Sequence, residues 1–194
     1  MRSRFAEPSR ERLASIGDAL SAGWYPSLSS SEREAFAAYK MHWGPPINDL
    51  LLFGERGWED RWSHSLLPLP LAEAKRLIWT IAGALERAAT AFPVVVYRAC
   101  ERPTPHTFVS ASLSLEEACE WLDDGCAPRR LFRIDLPAGT TAAYIEPLSP
   151  LPGCDDELEV LIAPGVRVGW TEIGWSEAAQ VEPLVTADEK SECV

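Results

Sequence analysis

Residues 71–100 read LAEAKRLIWTIAGALERAATAFPVVVYRAC, and the pattern of their apolar positions changes once, at Pro93. Before it, Leu71, Ala74, Leu77, Ile78, Ile81, Leu85 and Ala88 recur every three or four positions, the stripe of a helix buried along one side. Pro70 stands where a first helical turn tolerates a residue without an N–H. After Pro93, Val94-Val-Val-Tyr97 is a run of β-branched and aromatic residues that predicts a strand to Cys100. Outward from this boundary the two sides keep their character. Ser30, Ser31 and Glu32 open a helix carrying Phe36, Tyr39, Lys40 and Trp43 at helical spacing, and Gly44-Pro45-Pro46 predicts its end. A short helix is expected from Ile47 to Phe53, then an ordered loop over 54–68 containing Trp58, Trp62 and His64. On the other side, strands are predicted at 107–112, 130–136, 142–145, 158–162 and 166–173. Between the first two of these, Ser114-Leu-Glu-Glu117 has capping-box spacing and begins a short helix through Trp121. Turns are expected at Pro137-Ala-Gly139 and Pro164-Gly165. Helices first and strands afterwards predict a segregated α+β fold rather than alternating βαβ units.

With 194 residues, the chain is long enough for one compact domain: a helical region over 1–92, a β-rich core over 93–176 and a polar tail over 184–194 that is expected to fray. Lys and Arg total 18 against 29 Asp and Glu, a net charge of −11 that repels phosphate backbones and anionic lipid, so nucleic-acid and membrane-surface partners are disfavoured. The apolar stretches 77–85 and 92–96 fall short of the roughly 20 residues a membrane helix needs. The charged N-terminus lacks the apolar region of a secretion signal, so a cytoplasmic protein is expected. Five cysteines (Cys100, Cys119, Cys126, Cys154 and Cys193) form no Cys-x-x-Cys pair and are expected to be reduced.

Phosphate-loop, dinucleotide-loop, zinc-protease, nucleophile-elbow and calcium-loop motifs are missing from the sequence. His42, His64 and His106 have no ligand spacing, so no metal is expected. What remains lies on three predicted strands: Arg98, the pair Ser110 and Ser112, and the pair Glu157 and Glu159. Any one of these is ordinarily a solvated charge or polar strand edge. Side chains alternate along a strand, so each pair is expected to share a face, with Ala111 and Leu158 pointing the other way. Val160-Leu161-Ile162 continues apolar directly after Glu159, which puts a carboxylate at the mouth of a buried strand, a costly position without a purpose.

In this order and spacing, Val95-Val-Tyr-Arg98, Phe108-x-Ser110-x-Ser112, the strand 131–136 ending in Pro137-Ala-Gly139, and Glu157-x-Glu159-Val-Leu-Ile followed by Pro164-Gly165 resemble the mono-ADP-ribosyltransferases of the arginine-serine-glutamate, cholera-toxin-like class. The resemblance spans about residues 94 to 170; Ile47-Asn48-Asp49-Leu50-Leu51 also looks like the helical region preceding the first catalytic strand. It implies N-terminal helices packed on a two-sheet β-sandwich with NAD, as co-substrate, gripped in the cleft between the sheets. It further implies that Glu159 is the catalytic carboxylate, that Arg98 contacts NAD phosphate, that Ala99 offers backbone to the nicotinamide amide, and that Ser110, with Ser112, orients ribose and carboxylate. Glu157 resembles the residue of arginine-modifying members, and Trp121 occupies a position from which it could stack on nicotinamide. The sequence departs from the family at Ala111, where Thr is usual. The segment 146–156 lies where the family carries its target-recognition loop, and its acidity implies a basic protein surface as partner. Four carboxylates within five positions (Asp155, Asp156, Glu157 and Glu159) are expected to raise at least one pKa.

The function so implied is transfer of ADP-ribose to arginine of a target protein, as a bacterial or phage toxin or effector delivered into a host or rival cell, with an antidote protein as a further partner. The alternatives are NAD hydrolysis or transfer to nucleic acid or a small molecule, and a catalytically inactive binding module of the same fold.

Overall fold

The computed structural model describes residues 8–62, 65, 69–123, 129–149 and 157–173. Helix α1 runs over Arg10–Ser21 and α2 over Ser30–Ala38. Ser29, one residue earlier than the sequence suggests, caps α2 in a capping box: its hydroxyl accepts from the Glu32 N–H while the Glu32 carboxylate accepts from the Ser29 N–H. The chain does not stop at Gly44-Pro45-Pro46. It passes through a widened π turn over Tyr39–Trp43, in which Gly44 N–H donates to Tyr39 O, and re-enters helix α3 over Gly44–Trp62. Pro45 and Pro46 fall in the first turn of α3, where their missing N–H groups leave nothing unpaired that a helix start would have used. Ile47 to Phe53 is therefore part of a longer element. Gly54, at φ 69°, kinks α3, and residues 55–62 continue it as helix where a loop is expected from sequence; Trp58 turns into the core. Helix α4, Leu71–Leu85, buries Ala74, Leu77, Ile81, Ala84 and Leu85, and ends well before Pro93.

The strands are β1 Val94–Cys100, β2 Val109–Ser112, β3 Arg130–Leu136, β4 Ala142–Tyr144, β5 Glu159–Ile162 and β6 Gly169–Glu172, with helix α5, Leu115–Glu120, capped by Ser114 after β2. They form one antiparallel sheet in the order β4-β5-β2-β1-β3-β6, which corrects the expected two-sheet sandwich. The reason a sandwich is not formed lies at the sheet's centre. β1 matches β3 along all seven of its residues and β2 matches β5 along four, yet β1 and β2 meet at the single pair Tyr97↔Ser112. That one pair joins two three-stranded halves into one sheet.

Directly opposed residues of an antiparallel pair share a face. On one face Leu161 and its partner Ala143, with Phe108 and Ile145, pack against Phe36, Ile47, Leu77, Ile81 and Leu85 of α2, α3 and α4. The opposite face, with Val109, Ala111, Val160, Ile162 and Tyr144, packs against Leu13 and Leu20 of α1 and continues into Val94, Val96, Ile134 and Leu136 of the other half. Helix α5 covers a smaller cluster of Tyr97, Leu131 and Ile173 through Ala118.

Candidate functional site

Ser112 faces Glu159 across the β2/β5 ladder, so these two share the face of the sheet that carries Ser110 and Leu161. Glu159 is the first residue of β5 and only 5 % exposed. Leu158 before it has φ 52°, a left-handed backbone that a Leu rarely adopts. Alternation therefore does not run through 157–159 as a strand would carry it, and Glu157 precedes β5, half-buried, with its carbonyl accepting from the Ser112 hydroxyl at 2.6 Å. Ser112 Oγ also accepts from Ser114 N–H at 3.0 Å, so this serine ties β2 to the segment entering β5.

Ser110 turns its hydroxyl toward Tyr39 OH, 3.3 Å away, rather than bonding Glu159. Arg98 lies in β1 just past the Tyr97↔Ser112 pair, and its guanidinium donates to the Ser110 carbonyl of β2. Its Nε hydrogen is buried and meets no acceptor among the described residues. Ala99 is matched to Leu131 of β3, and Trp121, at the end of α5, is exposed. Thus Arg98, Ser110, Ser112 and Glu159 converge at the junction of β1, β2 and β5. Asp155 and Asp156, most of the segment 146–156, His64, Cys126, Cys154, Cys193 and the tail 184–194 lie outside the described residues.

Three further side chains at this site come from the helical half and from the turn after β4. Asn48 on α3 accepts from Phe108 N–H at 3.0 Å and donates to Phe108 O at 3.1 Å, pairing with the backbone as a neighbouring strand would. The same amide donates to Tyr39 OH at 3.3 Å. Burial is the larger cause, and the nearby Glu159 charge the next, that pushes the Tyr39 hydroxyl up to about 12, so it stays neutral. Lys40, adjacent on the π turn, donates to Glu159 Oε2 at 2.9 Å and to Glu146 Oε2 at 3.2 Å with its side chain 1 % exposed. Burial alone would lower the Lys40 pKa, but the two carboxylates outweigh it and hold the ammonium above its ordinary value. Glu146 also accepts the Glu159 N–H, at 3.2 Å. Burial pushes the Glu146 carboxyl up, against the pull of Lys40. Sequence reading places Tyr39 and Lys40 on a helix face but assigns neither a role, because a lone lysine in a helix is ordinarily solvated. The signal for Glu146 is weaker still. Among the described residues no group of three or more His, Cys, Asp or Glu side chains could hold a metal ion.

No family model and no curated protein sequence matches the chain. Solved structures do. Plx2a, an ADP-ribosyltransferase toxin from Paenibacillus larvae, superposes with a TM-score of 0.58 at 17% identity, covering 85% of this chain and 96% of its own. BECa, an ADP-ribosylating toxin of a C. perfringens binary enterotoxin solved with NADH, gives 0.59 at 20% identity over 82% of this chain and 42% of its own. Vis toxin, an ADP-ribosyltransferase from Vibrio splendidus, gives 0.55 in its complex with agmatine, at 19% identity over 90% of this chain and 91% of its own. The fold is therefore that of the mono-ADP-ribosyltransferase toxins.

Proposed function

We propose that this protein is an NAD-dependent mono-ADP-ribosyltransferase whose acceptor is an arginine side chain of a target protein. The observation that carries the reading is the buried Glu159 carboxylate. It stands opposite Ser112, is held through Oε2 by Lys40, and has Oε1 without a donor among the described residues, in a fold shared with ADP-ribosylating toxins. Cleavage of the bond between ribose C1′ and the nicotinamide nitrogen leaves the bonding pair on neutral nicotinamide and a cation on the ribose. A fixed carboxylate in a partly dry site stabilises that cation, and Glu159 Oε1 can accept the 2′-hydroxyl hydrogen. Arg98, whose Nε–H is unmatched among the described residues, offers a permanent planar cation to the pyrophosphate.

The acceptor nitrogen then forms the new bond to C1′ and loses a proton, which a carboxylate such as Glu157 can take. A guanidinium acceptor suits an acidic chain of net charge −11, and Vis toxin's complex with agmatine shows a neighbour of this fold holding a guanidino compound. By the same fold likeness the protein acts as a toxin or effector on a basic protein surface. The test is incubation with labelled NAD and an arginine-rich protein, wild type against Glu159→Gln. The expected result is label on arginine and at least roughly a hundredfold loss in the variant. Equal labelling by both proteins, or none by the wild type, overturns the proposal.

A further inference from the structure

Lys40 is the unusual group at this site. A lysine side chain 1 % exposed is seldom found without partners, and this one has two, Glu159 at 7 % and Glu146 at 15 % side-chain exposure. Both bonds go to the Oε2 atoms, and Glu146 Oε2 additionally takes the Glu159 N–H, so the lysine, the backbone and the second carboxylate form a closed ring around one side of Glu159. Oε1 of Glu159 lies outside that ring.

Among the described residues, the other charged or titratable groups around this pair are Tyr39 from the π turn, Tyr25 on the Glu146 side, Glu157 two residues upstream of Glu159 and, through Tyr39, Arg98 from β1. Tyr39 stays neutral and the bond that Arg98 makes goes to the Ser110 carbonyl and not to either carboxylate, so among the described residues Lys40 supplies the cation in direct contact with the pair. Two carboxylates sharing a partly buried site cannot both stay ionised cheaply: one takes up a proton unless a cation stands between them.

Building on the NAD-dependent reading above, we propose that Lys40 is a positioning residue for Glu159: it sets a cation between Glu159 and Glu146, fixes Oε2 and turns Oε1 toward the substrate. Its place on the π turn is set independently, because neighbouring Tyr39 is tied to Asn48 and Ser110.

The experiment measures NAD turnover against pH for wild type, Lys40→Met, Lys40→Arg and the double variant Lys40→Met/Glu146→Gln. Lys40→Met should lose roughly ten- to a hundredfold in kcat at neutral pH, with KM for NAD changed far less. Its acid limb should move to higher pH, since the cation between the two carboxylates has been removed. Removing the second carboxylate in the double variant should return the limb toward the wild-type position and recover part of kcat, and Lys40→Arg should lie between. A Lys40→Met protein with wild-type kcat and acid limb overturns the proposal. So does a loss of kcat that Glu146→Gln leaves untouched in a folded protein, since that is the behaviour of a merely structural lysine. Carboxyl NMR titration of the same proteins without NAD, with Glu159 assigned through Glu159→Gln, reads the ionisation directly: Glu159 should titrate at higher pH in Lys40→Met, and an unchanged titration overturns the inference. A wild type that turns over no NAD sinks the functional reading instead, which the titration, needing no turnover, tells apart. If Lys40→Met fails to fold, Lys40→Arg and the double variant carry the comparison.

Discussion

Tyr39 and Asn48 do at the level of single side chains what a longer β2 would do with backbone. Phe108 N–H and C=O, just outside the ladder, would be orphaned against the helices, and the Asn48 amide satisfies both. Tyr39 accepts the third bond from Asn48 and is wholly enclosed, which is why its hydroxyl resists ionisation. A pH dependence follows. The folded pKa is raised to about 12 from an ordinary value of 10.0, so the native state holds this proton longer than the unfolded chain does. The stabilisation is fully present below pH 10 and is lost as pH rises toward 12. Tyr25, also raised by burial, pulls in the same direction, so the comparison must be with Tyr39→Phe. Urea unfolding followed from pH 9 to 12 should show a drop that is shallower in Tyr39→Phe by up to about 1.4 kcal/mol per pH unit, the slope of one proton; equal slopes would contradict the burial argument. Glu159 and Arg98 stand out in the sequence because each is a charge inside or beside an apolar run. Lys40 and Glu146 carry no such mark, since their burial arises from contacts between segments 106 positions apart.

At the level of elements, α1 lies on β4 through Gly17, and that contact is closed to any side chain. A Cβ there would stand 2.6 Å from the ring of Tyr144, which is buried in the cluster that α1 shares with the sheet and whose N–H donates to Ser21 Oγ at 2.8 Å. Gly17→Ala gains about 1 kcal/mol of helix propensity but meets an overpacking cost of about 1–3 kcal/mol. The expectation is a net loss, seen as a lower urea midpoint with an unchanged slope; a variant as stable as wild type would mean that α1 can slide on the sheet. The π turn is the other element that matters, because it converts what Gly44-Pro45-Pro46 reads as a break into a continuous helical path. Local residue preference marks where the N–H groups are missing, but whether the chain turns away or closes a wider turn is decided by what Tyr39 and Lys40 find to bond across the interface.

Over the whole molecule, a sheet joined at one pair in its middle carries its candidate site at that same place, with Arg98 on one half and Glu159 on the other. A dinucleotide bound by both would tie the halves together. With Glu159→Gln to block turnover, NAD at about 100 times its dissociation constant should stabilise the protein by about 2.7 kcal/mol, read as a rise in Tm. Absence of any shift at millimolar NAD would count against binding across the junction. The order of helices before strands, the helix from Leu71, the strands from Val94 and Arg130, and the Glu159 carboxylate at the edge of an apolar run are all determined by the sequence alone. These are matters of local period and of burying apolar area, which a chain carries in its own composition. Tertiary structure decided that the strands make one sheet rather than two, that Leu158 breaks the alternation, that Ser110 turns to Tyr39, and that a lysine from the helical half reaches the carboxylate. Those outcomes depend on long-range pairing and on hydrogen bonds between distant segments, whose partners no local pattern specifies.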